Sequence, residues 1–355
     1  MKFSKLVLAA LVSSVFFVSC SDDNDNNDVP LGNYDNGALI LNQGGFGKGN
    51  ASVSYLSDDF VTQQNNIFSL VNPTITLGDT GQDIGFNGDL AFIIMNISNK
   101  IEIVNRYTMK HVATISVGLN NPRYIAFSNG KGFVTNWGDG GSPSDDYVAV
   151  LNLSNYSTAR IAVAEGPERI IADNNKLYVA HQGGYGFGST ISVINAMTNA
   201  VSTTIKVGDV PNSLEISNGS LYVLCGGKPS YSGTETAGSF VKINVSNNTV
   251  SSTQNFPGKS HPSNLDIADS AIFYTVDSAI FKSTLSATTL PTTPLFTTTA
   301  QGVYGVYSFA VNNNKIYVGD AGDYSSNGKI YIYSTTGIFE KEYTVGIIPA
   351  GFYFN

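Results

Sequence analysis

Beyond about Gly37 the chain is written in short apolar runs with period-two alternation, and the same run returns along its length. Lys131-Gly-Phe-Val-Thr-Asn136, Lys176-Leu-Tyr-Val-Ala180, Ser220-Leu-Tyr-Val-Leu224 and Lys315-Ile-Tyr-Val-Gly319 are β-branched and aromatic, the composition of strands. Asn129-Gly130, Asn174-Asn175, Asn218-Gly219 and Asn313-Asn314 precede them. These residues tolerate positive φ, so each pair predicts a tight hairpin of the primed type. Asn87-Gly88-Asp89-Leu90 opens a fifth copy running to Ile94, and Ser270 to Tyr274 form a weaker sixth.

A second element lies upstream of the hairpins: Pro122-Arg-Tyr-Ile125, Pro167-Glu-Arg-Ile170, Pro211-Asn-Ser-Leu214 and Pro262-Ser-Asn-Leu265, spaced by 45, 44 and 51 residues. That is the length of one four-stranded propeller blade. Downstream, Ile101 to Asn105, Val148 to Asn152, Ile191 to Asn195 and Val241 to Asn244 read as third strands. Ile115 to Gly118, Ile161 to Val163 and Ile205 to Gly208 read as fourth strands. No long helical period interrupts them.

Hairpin copies give seven units, one opening near Ala38 and the others with second strands near Leu90, Gly132, Leu177, Leu221, Ile272 and Ile316. The first unit lacks a first strand, because Ala38 to Leu41 already match the second. Pro349 to Phe354, which follow Val345-Gly346 as other Pro elements follow Val-Gly, supply it. The expected fold is therefore all-β, a seven-bladed β-propeller of four-stranded blades over 37–355, its ring closed by the C-terminal strand in the first blade. Such closure removes an open sheet edge. A pair of sandwiches is the competing architecture, and the repeating Pro phase argues against it.

The residues ahead of this body read as an address. Lys2 and Lys5 precede an apolar run from Leu6 to Val18, too short to span a bilayer as a mature helix. Ser19-Cys20 resembles a bacterial lipobox, with Phe17 where Leu is usual. Residues 1–19 are thus expected to be a lipoprotein signal peptide, Cys20 the lipidated N-terminus, and 20–36 an acidic tether containing Ser21-Asp-Asp-Asn-Asp-Asn-Asn-Asp28. Several acyl chains make such an anchor stable where one is marginal.

Composition narrows function. The 355 residues hold 19 Lys and Arg against 27 Asp and Glu, a formal net charge of -8, and no basic block past the first residues, which argues against a nucleic-acid partner. Two Cys and three scattered His make neither a disulfide framework nor a metal cluster, so no resident cofactor is expected. Cys225 reads as a buried, inert thiol.

Turns after second strands are long and chemically loaded, which marks their face as the candidate for function. They include 42–50, with Gln43 and Phe46; 136–146, with Trp137 and Asp139; 181–188, with His181, Gln182, Tyr185 and Phe187; 226–233, with Lys228 and Tyr231; and 320–328, with Asp320 and Tyr324. Gln43-Gly-Gly-Phe46 is echoed by Gln182-Gly-Gly-Tyr185. Aromatic and amide side chains on Gly-rich turns suit a large, flat, polar-edged ligand. Neither Gly-rich loop opens a helix or ends in Lys-Ser/Thr, so neither is a P-loop. Arg123 and Arg169, following blade-start prolines, reach the mouth to meet an anion or else pair with a carboxylate such as Glu168. Asp139, Asp145 and Asp146 lack the spacing of a known calcium loop, and a solvated acidic turn is the favoured reading. His181 suits hydrogen bonding to a ligand better than catalysis.

The Pro-x-x-Ile start, the Lys-Leu-Tyr-Val-Ala hairpin and the Ile-Ser-Val-Ile-Asn strand resemble YVTN-type surface propellers of the YncE kind. Together with the lipobox, the acidic tether and the opening Ala38-Leu-Ile-Leu-Asn-Gln-Gly-Gly-Phe-Gly47, the chain is similar to the BtuG-like surface lipoproteins of Bacteroidetes. That resemblance implies a non-enzymatic protein, displayed outside the outer membrane, that captures cobalamin and passes it to a TonB-dependent transporter. Phe46, Trp137, Tyr185 and Tyr231 would then give flat contact, while Gln43, Asn96, His181, Gln182 and Asp320 would bond the amide rim. Two other classes stay open on the same frame: an adhesion or glycan-binding module, and a lactonase-like enzyme with Glu, His and Arg converging on the axis.

Overall fold

The hairpin turns carry the fold. Asn129 and Gly130 lie at φ 51° and 68°, Asn218 and Gly219 at 49° and 68°, and Asn313 and Asn314 at 48° and 59°. Both central residues of each turn are left-handed, which twists the flanking strands in the sense a sheet requires. The computed structural model describes residues 30–355; the expected signal peptide, Cys20 and most of the tether lie outside the described residues.

Strand pairing builds seven four-stranded antiparallel sheets. The second blade is typical: Gly81–Asn87, Leu90–Met95, Lys100–Asn105 and His111–Ile115 pair in that order. The expected ring closure is present, with Pro349–Phe354 pairing antiparallel to Gly37–Asn42 in the first blade, Tyr353 opposite Leu39. Arg106 locks this strand from the second blade, donating to Phe354 O at 2.6 Å and Asn355 Oδ1 at 2.8 Å while its guanidinium sits 3.5 Å above the Phe86 ring.

Fourth strands begin earlier than their apolar motifs suggest. They run His111–Ile115, Thr158–Ala162 and Ala200–Lys206, so Ile115, Ile161 and Ile205 fall at or near their ends. These are outer strands, and Ala200–Lys206 is exposed at every position but Ile205. A strand with one wet edge and little core contact carries no apolar alternation to read. The ordered body also starts ahead of Gly37: Tyr34 is buried against Tyr55, and its N–H donates to Tyr107 O.

Seven apolar clusters fill the spaces between neighbouring blades. Tyr178, Ile191 and Val193 of the fourth blade meet Leu214, Leu221 and Val223 of the fifth; Ala38, Ile40 and Phe352 of the first meet Tyr317, Ile330 and Ile332 of the seventh. Each such side chain contributes about 1.5–3 kcal/mol when fully buried. Alternate residues of a second strand face opposite neighbours, which explains why these strands are buried on both faces.

The first strands neighbour one another around the axis. Near its start each of six bulges against its partner, between Gly81 and Asp83, Pro122 and Ile125, Pro167 and Ile170, Pro211 and Ser213, Ser263 and Asp266, and Pro349 and Gly351. A bulge inserts an extra residue and re-aims side chains. Here it sets Arg123, Tyr124, Arg169 and Asn264 around a common cavity on the axis.

Candidate functional site

The residue ahead of the first strand adopts a left-handed backbone in five blades: Thr80, Asn121, Gly166, Val210 and Ile348 have φ of 58°, 55°, 60°, 55° and 58°. For β-branched Thr80, Val210 and Ile348 this conformation is strained, and it persists only where the surroundings over-determine it. The reason lies in the carbonyls. Those of Ile348, Thr80, Asn121, Gly166 and Val210 accept the N–H of Gln43, Asn96, Trp137, Gln182 and Gly226, the residue that follows each blade's second strand, at 2.8–3.1 Å. The repeated bond fixes the start of every one of these turns against the axis. At Gly166 a Cβ would stand 1.8 Å from Gly184 N, so only glycine admits the fourth-blade turn.

Turns and blade connections together enclose an axial cavity of about 520 Å³. Of the residues singled out in the sequence, Gln43, Phe46, Asn96, Arg123, Trp137, Arg169 and Tyr185 line it. Phe46 and Tyr185 are 75% and 78% exposed and stand at its rim, free to close on a ligand. Trp137 is held in place: its Nε1 donates to Pro167 O at 3.1 Å, Arg123 lies 4.2 Å over its ring, and Tyr185 meets it edge-on at 6.1 Å. Gln43 Oε1 accepts from the Tyr307 hydroxyl at 2.6 Å. Asn96 has its amide N–H groups committed to Asn121 Oδ1 and Pro122 O, which makes it a clamp between blades more than a ligand donor.

The remaining candidates lie elsewhere. Gln182, Phe187 and Tyr231 border a separate groove of about 290 Å³ between the fourth- and fifth-blade turns, the two rings 6.3 Å apart. Asp139 borders a shallow depression beside Asn96 and Asn120. Asp320 accepts Gly322 N–H and shapes its own turn, and the Lys228 N–H is bonded to Thr236 Oγ1. Tyr324 is exposed and meets Tyr307 edge-on at 5.8 Å. His181 does not reach the mouth at all: it is 1% exposed, its Nε2 is 2.8 Å from Ser192 Oγ, and burial pushes its pKa down to about 4. Its position closes a second strand whose side chains alternate into the inter-blade core.

Asp145 accepts Asp139 N–H and Asp146 accepts Gly166 N–H, and among the described residues no cluster of His, Cys and carboxylates could hold a metal ion. Cys225 is fully buried, and burial pushes its thiol up to about 12.

Tyr124, Tyr307, Asn264 and Gln82 also line the cavity and were missed. Tyr124 and Asn264 occupy the bulged position two residues after Pro122 and Pro262, the slot that Arg169 fills after Pro167. The Pro phase alone could have found them. Tyr307 sits in a connection without a Pro, and no sequence signal marks it.

Deeper on the axis the electrostatics are unusual. Glu215 has its carboxyl pushed up to about 8, by burial first and then by the neighbouring Asp266 charge, against the opposing pull of Arg169. Burial holds Asp266 up at about 6 although its Oδ2 accepts Val311 N–H at 2.7 Å. Asp83 links two first strands similarly, accepting Ile125 N–H at 3.0 Å and the Tyr353 hydroxyl at 3.1 Å.

Residues 36–355 match the family described as "Domain of unknown function (DUF5074)". The chain belongs to this family. No curated protein matches it by sequence. Among solved structures, a quinonprotein alcohol dehydrogenase-like protein from Bacteroides thetaiotaomicron superposes with a TM-score of 0.68 at 14% identity, covering 90% of this chain and 78% of the other. The computationally designed Ika8 protein gives 0.59 at 9% identity, covering 91% and 92%. BamB from Moraxella catarrhalis gives 0.52 at 15% identity, covering 87% and 82%. At such identities the likeness shows the propeller fold alone.

Proposed function

We propose that this DUF5074 protein is a non-enzymatic, lipid-anchored surface protein that captures cobalamin or a related corrinoid in the axial cavity and hands it to an outer-membrane TonB-dependent transporter. The observation that carries the reading is the cavity lining. Aromatic faces from Phe46, Trp137, Tyr185 and Tyr307 stand beside the amides of Gln43, Gln82 and Asn121 at one mouth. A corrin is a flat ring edged with carboxamides, so it asks for broad apolar contact at its face and amide partners at its edge. The polar, half-open cavity seats one part of such a ligand, and the exposed rim aromatics cover the rest. A binding role is further supported by the three His, none of which lines the cavity: His111 lies 2.9 Å from Glu102, His181 is buried, and His261 borders the separate groove. A lactonase-like site would need one of them beside the axial Glu and Arg. The anchor and the outer-face location rest on the Ser19-Cys20 motif and the acidic stretch that follows it.

The chain contains a single Trp, and it stands in the cavity wall. Titration of the purified protein with cyanocobalamin is therefore expected to quench Trp137 fluorescence saturably, with matching heat in calorimetry. Absence of both quenching and heat with cyanocobalamin and with cobinamide overturns the corrinoid reading.

A further inference from the structure

The two arginines of the blade-start elements have different fates. Arg123 is consumed, its N–H edge engaged by Glu168 and one face by Trp137. Arg169 is not. It lines the same cavity, half-buried, with its guanidinium carbon over the Tyr124 ring, 4.1 Å from the centroid. Among the described residues no carboxylate comes within ion-pair distance of it. The charges nearest to it are already committed: Glu168 to Arg123, and Asp83 to Ile125 N–H and the Tyr353 hydroxyl. Glu215, one strand further round the axis, keeps its proton up to about pH 8 and offers no full counter-charge at neutral pH.

A guanidinium with five donors, partly withdrawn from bulk water and given no acceptor among the described residues, is a costly arrangement for a fold to keep. The contact with Tyr124 holds the guanidinium without using its N–H groups, which stay unspent where Arg169 lines the cavity. Gln82 lines the same wall, and its side-chain amide makes no bond to the described residues. We infer that Arg169, held over the Tyr124 ring in the cavity wall, is an anion-binding subsite that takes a phosphate or carboxylate group of the bound molecule. The fork geometry of Arg matches two oxygens of either group, and partial burial strengthens the contact relative to water. This inference stands apart from the corrinoid reading, since it concerns one charged group and no ring.

Thermal unfolding of the full-length protein tests it. With no corrinoid present, inorganic phosphate at several times its dissociation constant is expected to raise the midpoint by about 2 °C over sodium chloride at equal ionic strength. Acetate forms the second arm, and the larger of the two responses tells phosphate from carboxylate. Arg169→Gln abolishes the shift, Arg169→Lys retains a reduced one, and Arg160→Gln, on the exposed outer strand of the third blade, retains it in full. Should Arg169→Gln not fold, the Lys variant and the ³¹P line width of inorganic phosphate with the wild-type protein carry the comparison. An equal shift in Arg169→Gln or Arg169→Lys and wild type, or no shift and no line broadening with either anion in the wild type, overturns the subsite.

Discussion

Arg123 and Glu168 meet across the axis-facing edges of neighbouring first strands, Nε to Oε2 and Nη2 to Oε1 both at 2.8 Å. Glu168 is 4% exposed, and its backbone carbonyl also accepts the Thr135 hydroxyl, so the pair ties the third blade to the fourth beneath Trp137. Removing one member of a buried pair strands the other charge, at a cost of about 3–5 kcal/mol. Glu168→Gln is expected to lose stability in that range in urea unfolding. The double variant Arg123→Met, Glu168→Met should recover much of it. A loss below about 1 kcal/mol in the single variant would show that water reaches the pair.

Closure of the ring makes a second expectation. Phe352 is 8% exposed and packs 5.5 Å from Tyr317 of the last blade, so the C-terminal strand bridges the seam between the two chain ends. Phe352→Ala should cost about 3–5 kcal/mol by cavity formation. Deleting residues 349–355 should do worse, exposing both the edge of Gly37–Asn42 and the cluster behind it. Aggregation on mild heating, read by light scattering, checks the exposed edge. A truncated chain that unfolds as cooperatively as the intact one would contradict the closure.

What the sequence made legible follows from what repetition encodes. Hairpin turns need left-handed residues and buried second strands need apolar side chains on both faces, so blades and their number could be read directly. Even the closing strand was visible, since Pro349 keeps the Pro phase. Outer fourth strands were misplaced because an exposed strand such as Ala200–Lys206 carries no pattern. Loop membership singled out Gln43, Phe46, Trp137 and Tyr185, which line the axial cavity, but it cannot say whether a loop leans over the axis or beside it. Tyr231 and Phe187 therefore fell in a neighbouring groove. His181 failed for a different reason: as the last residue of a strand it obeys the strand's alternation, which turns it inward.

Tyr185 stands 78% exposed at the rim and touches Trp137 edge-on, and a Cβ at Gly140 would stand 2.6 Å from its ring. Such a side chain contributes little to the fold and borders the mouth of the proposed binding cavity. Tyr185→Ala is expected to leave urea unfolding within about 0.5 kcal/mol of wild type and to weaken cyanocobalamin about tenfold in the Trp137 titration. Unchanged affinity would remove Tyr185 from the binding surface.

If Cys20 carries the anchor, Cys20→Ala should leave the fold intact and move the protein from the membrane to the soluble fraction of cells. Circular dichroism with fractionation reads both. Retention in the membrane fraction would mean that another segment holds the protein there.

Glu215 makes stability depend on pH with a definite sign. Its folded-state pKa of about 8 lies above its ordinary 4.5, so between those values the folded protein holds a proton that the unfolded chain has released. Stability contributed by this group is complete below about pH 4.5, falls as pH rises through the window, and is gone above about 8. Asp266, raised to about 6, acts in the same direction over a lower and narrower range. His181, lowered to about 4 from 6.5, acts oppositely and loses stability as pH falls between those values. Comparing Glu215→Gln with wild type cancels the contributions of groups that do not act on it, His181 among them, and leaves the signal of Glu215 together with its coupling to Asp266. The variant, neutral throughout, should gain on wild type steadily from pH 5 to 8, by up to a few kcal/mol, and keep a constant lead above that. Parallel stability curves for the two proteins would place Glu215 in contact with bulk water and its carboxyl near the ordinary value.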